Sequence, residues 1–323
     1  MERKLHTVMV TGGAGFIGSH ICDRLIGMGI KVVCVDNLFS GFEKNIAHLI
    51  DDENFKFIDT DISNYNECFS AMEGCDAICH QAAIGSVPRS IKNPVRTNIA
   101  NSNGTLNIFQ SAFERGIERV VFASSSSVYG DEPNLPKIEN RIGNQLSPYA
   151  VTKRVGELYA SVFTDLKRIE TIGLRYFNIF GPRQSPEGAY AAVIPKFIQK
   201  IMKKESPIFF GDGMQSRDFT YVSNAVDANI LALTTGNKSA YGEIFNIACG
   251  ESLTLMEIFN ILKDIMSEKN PTFSEIEPIH EEEREGDVKH SKADVSKAGE
   301  LLNFYPRILA REGLEKTVKS FYE

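Results

Sequence analysis

Seven residues near the N-terminus constrain this chain more than any others: Gly12-Gly13-Ala14-Gly15-Phe16-Ile17-Gly18 reads as GxxGxxG from Gly12 and as GxGxxG from Gly13. The β-branched, apolar run Thr7-Val8-Met9-Val10-Thr11 precedes it. Residues 16–28 follow, with Ile17, Ile21, Leu25 and Met28 at helical spacing. The spacing predicts strand, tight turn, helix. Glycines at such a turn let backbone N–H groups and the positive end of the helix approach a pyrophosphate, so Gly12, Gly15, Phe16, Ile17 and Gly18 become candidate dinucleotide contacts.

The strand pattern recurs at Lys31–Asp36, 55–58, 77–81, 119–123 and 171–175, with helix-like stretches between several of these runs. Such alternation predicts an α/β fold with a doubly wound, Rossmann-type parallel sheet covered on both faces. After about Tyr176 the rhythm changes. Gly/Pro-bearing segments, a helix-like 193–204 and the acidic run 281–285 suggest a smaller C-terminal α/β lobe. The expected division is a cofactor domain over 1–175 and a substrate lobe over 176–323, with some lobe segments returning to the sheet. The acidic run is expected to be a solvated loop.

With 323 residues the chain can bury a sizeable core, and 35 Lys+Arg against 42 Asp+Glu leave a net charge of −7. No basic run is present, which argues against general nucleic-acid binding. Nor is there an apolar run long enough to cross a bilayer or a signal-peptide core, so a cytoplasmic protein is expected. The six cysteines form no CxxC pair and read as reduced structural thiols. Cys75, Cys79 and His80 are close in sequence, but in a strand alternate residues face opposite ways, so no metal site is expected there.

Asp36 closes the second strand eighteen residues after Gly18, where its carboxylate can accept both ribose hydroxyls and would repel a 2′-phosphate. This favours NAD over NADP. Asp61-Ile62 either borders adenine or begins a helix, with Asp61 as its cap. Gln81-Ala82-Ala83 ends the fourth strand with small side chains that admit a cofactor. Ser124-Ser125-Ser126-Ser127-Val128-Tyr129-Gly130 follows the fifth, and Tyr149 and Lys153 stand four apart on the next helix, on one face. A neighbouring ammonium and a nicotinamide cation should both favour the phenolate, making Tyr149 a candidate base near neutral pH.

Together these residues resemble the extended short-chain dehydrogenase/reductase superfamily over nearly the whole chain. Residues 85–90, 174–181, 188–196, 211–213, 216–219 and 284–291 are similar to NAD-dependent UDP-N-acetylglucosamine (UDP-hexosamine) 4-epimerases. The resemblance implies that Tyr149 takes the proton of the sugar 4-hydroxyl as hydride leaves C4. Lys153 would hold the nicotinamide ribose, and Ser125 or Ser126 would steer the C4 oxygen. It also adds Asn37, Ser124 and Tyr176 to the cofactor contacts. Substrate contacts are implied at Gly85, Ser86, Ser126, Asn178, Val193, Lys196, Arg217, Arg284, Asp287 and Ser291. Epimerases restricted to unsubstituted hexoses carry a tyrosine where Ser291 stands, so a serine implies room for a 2-acetamido group. Related 4,6-dehydratases carry an Asp-Glu pair where this chain has Ser126 and Ser127, which leaves dehydration without its acid and base. A catalytically silent NAD-binding regulatory protein on the same fold is the other alternative. Apolar stripes at 98–113 and at Val155, Leu158, Tyr159, Val162, Phe163 and Leu166 imply, by the resemblance, a homodimer through a four-helix bundle.

Overall fold

The computed structural model describes residues 3–166, 168–187, 192–282 and 289–322. In chain order its first half comprises β1 (Thr7–Thr11), α1 (Phe16–Gly27), β2 (Lys31–Asp36), β3 (Phe55–Asp59), α2 (Tyr65–Ala71), β4 (Ala77–His80), α3 (Val87–Lys92), α4 (Pro94–Asn98), α5 (Gly104–Glu114), β5 (Arg119–Ser125), α6 (Pro148–Asp165) and β6 (Glu170–Tyr176). Then follow β7 (Ile179–Phe180), α7 (Val193–Met202), β8 (Ile208–Phe210), β9 (Ser216–Arg217), β10 (Thr220–Tyr221), α8 (Val222–Thr234), β11 (Ile244–Ile247), β12 (Leu253–Thr254), α9 (Leu255–Ser267), β13 (Ile279–Glu281), α10 (Ser296–Leu302) and α11 (Ala310–Ser320).

Seven parallel strands form one sheet in the order β11-β6-β5-β4-β1-β2-β3. The centre is buried on both faces. Val8, Met9 and Val10 of β1 have no exposed surface, and each such side chain contributes about 1.5–3 kcal/mol of hydrophobic transfer. Strand order reverses between β1 and β4, so the connections leaving their C-terminal ends run to opposite faces of the sheet and leave the crevice where ligands bind in doubly wound sheets. Register puts the tips on one edge: Thr11 pairs with Val35 and with His80, and Ser125 pairs with Tyr176. β11, far along the chain, closes the sheet beside β6, and α8 packs against α1. A separate core, with Phe197, Phe209, Phe259 and Leu314 at its centre, holds the smaller lobe.

Local chemistry sets the element ends near the crevice. Ser147 Oγ accepts from Ala150 N (3.2 Å) and Pro148 takes the first helical position, fixing the start of α6 one residue before Tyr149. The stripe expected over 98–113 is not one α-helix. α4 passes into a π-helical turn at Ile99–Asn103 before α5, because Asn101 turns inward: its amide accepts from Ile84 N (2.7 Å) and donates to Thr152 Oγ1 (3.1 Å). In the acidic run Glu281 and Glu282 are exposed as expected, but Glu281 is not in a loop: it pairs with Phe210 as the last residue of β13, while 283–285 fall outside the described residues.

Candidate active site

A cavity of about 670 Å³ lies over the strand tips. Gly12, Gly15, Phe16, Ile17 and Gly18 line it at the first turn. Gly12 has φ +68°, and a Cβ there would lie 2.7 Å from Ala82 N; a Cβ on Gly18 would run into the Gly12 carbonyl oxygen. Only glycine lets β1, α1 and the end of β4 approach this closely. With Gly15 as its N-cap, α1 aims its free N–H groups and positive end at the cavity.

Asp36 sits beside the turn with its carboxylate accepting from Ala14 N (3.1 Å) and Leu38 N (2.9 Å). Burial raises its pKa, and those two N–H groups work against the rise. Asn37 donates to Asp61 Oδ2 at 3.0 Å, while Asp61 Oδ1 accepts from Ser63 N. Asp61 therefore does not cap α2, whose cap is Asn64. Burial raises the Asp61 carboxyl, but its bonds to Ser63 and Asn37 and the charge of Arg96 outweigh that and hold it low. Asp61, Ile62, Gln81, Ala82, Ala83, Ser124 and Tyr176 all line the cavity with Asp36 and Asn37. Gln81 is held from below: its Oε1 accepts from Tyr176 Oη (3.0 Å) and its Nε2 donates to Asn229 Oδ1 (3.0 Å). Cys79 and His80 face opposite ways, Cys79 Sγ towards Asn229 and His80 to Thr11 and Thr105 at 2.7 and 2.9 Å.

Tyr149 and Lys153 reach the same cavity from α6. Lys153 Nζ donates to Ala123 O (2.8 Å) and stands 6.0 Å from the Tyr149 ring centroid. Burial lowers the Lys153 ammonium to about 8, against the pull of Glu157. The Tyr149 phenol differs from the sequence expectation. Burial raises its pKa and a hydrogen bond with the Ser125 side chain works against the rise. Ser125 also caps the 3₁₀ turn Ser126–Tyr129 through Ser127 N (3.1 Å), while Ser126 opens that turn. The contact with Tyr149 therefore goes to Ser125.

Among the described residues, the expected substrate contacts lie beyond this cavity apart from Gly85, which lines it and has nothing within 4 Å of where a Cβ would be. Ser86 caps α3 at φ +106° and Asn178 has φ +39°, two strained backbones of the kind held at ligand sites. Asn178 reaches Asp218, the chain neighbour of Arg217. The Asp218 carbonyl accepts from Asn178 Nδ2 (3.0 Å), and its carboxylate accepts from Cys249 N, Gly250 N and Ala293 N at 2.9, 3.0 and 3.2 Å. Burial nevertheless raises the Asp218 carboxyl to about 6. Ser291 N donates to Ser216 O (3.0 Å), next to Arg217. Val193 and Lys196 stand on the first turn of α7. Arg284 and Asp287 lie outside the described residues.

Residues 8–248 match the model of the NAD dependent epimerase/dehydratase family. The chain belongs to that family. Among solved structures it is similar to a UDP-N-acetylglucosamine 4-epimerase from Methanobrevibacter ruminantium M1 in complex with UDP-N-acetylmuramic acid, at 41% identity and TM-score 0.91, covering 99% of both chains. It is also similar to the UDP-glucose 4-epimerase of Thermotoga maritima with UDP-glucose (34% identity, TM-score 0.89, 98% of both chains). A third similar structure is the UDP-glucuronic acid 4-epimerase of Bacillus cereus with UDP-glucuronic acid and NAD (30% identity, TM-score 0.87, 98% of this chain and 99% of that one). NAD is the family cofactor, and the residues here fit it: a turn no side chain could share, a helix N-terminus, and a ribose-height carboxylate with lone pairs to spare.

Sequence reading missed the support beneath this site. Ser124 Oγ donates to Glu157 Oε1 (2.6 Å), and Glu157 is clasped by Arg175 through Nε and Nη2 at 2.8 and 2.9 Å and by Arg154 at 3.0 Å. The signals were present: Glu157 is one helical turn beyond Lys153, and Arg175 is a charge in a buried strand that demands a partner. Phe39, Arg89 and Arg96 also line the cavity without having been anticipated.

Proposed function

We propose that this chain is a UDP-sugar 4-epimerase that interconverts UDP-N-acetylglucosamine and UDP-N-acetylgalactosamine, and takes their uronic acids as further substrates. The observation that carries this reading is Tyr149 and Lys153, one helical turn apart on α6, sharing the cavity with Ser124 at the strand tips where a nicotinamide would end. Neighbouring structures named as UDP-sugar 4-epimerases over nearly the full chain support it.

NAD, when bound, supplies a reversible hydride acceptor at the sugar C4. The chain's residues supply the rest. Tyr149 removes the 4-hydroxyl proton and returns it after the 4-keto sugar has turned over, Ser125 holds the C4 oxygen, and Lys153 steadies the nicotinamide ribose and favours the phenolate. Asp36 holds the adenosine ribose. Asn178, Val193, Lys196, Arg217, Arg284 and Asp287 hold the nucleotide diphosphate, and Gly85, Ser86, Ser126 and Ser291 border the sugar. The open space at Gly85 and the small Ser291 both suit a 2-acetamido group. No carboxylate stands at Ser126 or Ser127, and the nearest downstream, Asp131, is exposed and tied to Asn144, which disfavours dehydration. A silent binder would have no use for both Tyr149 and Lys153.

We also propose a homodimer. Val151, Leu158 and Val162 of α6 and its C-cap Leu166 are 47–60% exposed, and Ile99 and Phe113 are 44% and 40% exposed. Sedimentation equilibrium should give twice the chain mass. Replacing Leu158 and Val162 with Glu should halve it.

Tyr149→Phe tests the chemistry. It should abolish turnover while NAD content and UDP-sugar affinity stay at wild-type values; unchanged turnover would remove Tyr149 as the base.

A further inference from the structure

The cavity has one wall that the glycine turn, Asp36 and the α6 residues do not account for. On one side of its mouth is Phe39, three residues past Asp36 and 40% exposed. On the other are Arg96 of α4 and Arg89 of α3. The Arg96 guanidinium carbon is 3.8 Å from the centroid of the Phe39 ring, and that of Arg89 is 5.9 Å from it. Each side is held by its own hydrogen bonds. Phe39 N donates to Asn37 Oδ1 (3.1 Å), whose amide nitrogen in turn binds Asp61, and Leu38 takes a left-handed φ of +55° that turns the chain there. Opposite, Asn93 breaks the helix between α3 and α4 and its Oδ1 accepts from Arg96 N (3.2 Å), which directs Arg96 back across the opening.

We propose that Phe39 and Arg96 are cofactor-retaining residues: their stacked contact bridges the mouth over the adenosine half of the cavity and must open before NAD can leave. Asp36, which borders that half, is buried, whereas Phe39 and Arg96 are both exposed and cavity-lining, the position of a bridge. A guanidinium flat on an aromatic ring forms a contact that breaks and re-forms at modest cost, so it slows release without blocking loading. The chemistry of the reading above makes use of this, because the hydride removed from C4 must return to the same sugar and a cofactor lost in between strands a ketone. The proposal itself rests on the cavity and the family cofactor, not on which sugar is bound.

The test is release of radiolabelled NAD⁺ from loaded protein, chased with excess unlabelled NAD⁺ and with no sugar present. Phe39→Ala and Arg96→Ala should each release NAD⁺ roughly two- to fivefold faster than wild type, the range of an exposed cation–π contact. The double variant should be no faster than the faster single one, since both remove the same contact. Arg96→Lys should also be fast, because an ammonium cannot stack as a planar guanidinium does. Both residues are exposed, so the variants keep the fold, and matching urea midpoints check this. Wild-type release rates in both single variants, effects that multiply in the double variant, or full restoration by Arg96→Lys would each overturn the bridge. Because the chase involves no turnover, failure to epimerise UDP-sugars would leave its result standing.

Discussion

Glu157→Gln removes one charge from the support beneath the site and leaves its shape nearly unchanged. Glu157 and Arg175 are each 1% exposed at the side chain, and the two carboxylate oxygens accept four hydrogen bonds, from Ser124, Arg154 and two Arg175 nitrogens. A glutamine offers one acceptor oxygen and turns an NH₂ group towards donors, leaving the Arg175 charge buried without its counter-charge. Breaking one side of such a pair costs about 3–5 kcal/mol, out of about 5–15 kcal/mol for a whole domain. Urea unfolding at fixed NAD concentration should show the unfolding free energy falling by that amount, through a lower midpoint with the slope unchanged. Glu157→Met combined with Arg175→Met should be less damaging than Glu157→Gln, because no charge is left stranded. The same substitution acts on the chemistry. Glu157 is what raises the Lys153 ammonium against burial, so its loss should push Lys153 below about 8 and move the alkaline fall of activity to lower pH. A loss of under about 1 kcal/mol would refute the reasoning on stability. An unmoved alkaline limb would refute the coupling to Lys153.

Ser125→Ala should reduce kcat about 10²-fold, the scale of one lost oxyanion-type donor, while Ser126→Ala stays near wild type in a steady-state epimerase assay. Ser291→Tyr should stop conversion of N-acetyl substrates and spare UDP-glucose in competition assays; retained N-acetyl turnover would place the gate elsewhere. Burial first, and then the Lys153 charge, hold His80 down to about 3 against an ordinary 6.5. The folded state therefore keeps His80 neutral, and its stability is fully present above 6.5 and lost as pH falls towards 3, by about 5 kcal/mol over 6.5 − 3 = 3.5 pH units. His80→Gln should flatten that slope in acid-unfolding curves.

The parts of the molecule legible in the sequence are those governed by short-range rules. The glycine turn, Asp36, Gln81 and the Tyr149/Lys153 pair could be placed because strand ends in a parallel sheet share one edge, and each sits at or next to such an end. The sequence could not settle what depends on neighbours distant along the chain. Whether Tyr149 lies above or below its ordinary pKa depends on how much burial α6 receives against β5 and the Ser90 region, and here burial raises it. The convergence at Asp218 draws on 178, 249–250 and 293, segments no periodicity links. Asn101 falls within the apolar stripe expected over 98–113, and its inward bonds to Ile84 depend on a segment seventeen residues away.

The central claim is epimerisation at C4 with a retained cofactor. The most direct measurement is to incubate the purified protein, without added NAD, with UDP-N-acetylglucosamine and separately with its uronic acid, and to follow the anomeric proton signals by NMR. The account predicts that the galacto isomer grows in to a stable ratio with no ketone released and no NAD consumed. If both sugars remain unchanged although NAD is recovered from the denatured protein, the epimerase assignment is contradicted for these substrates.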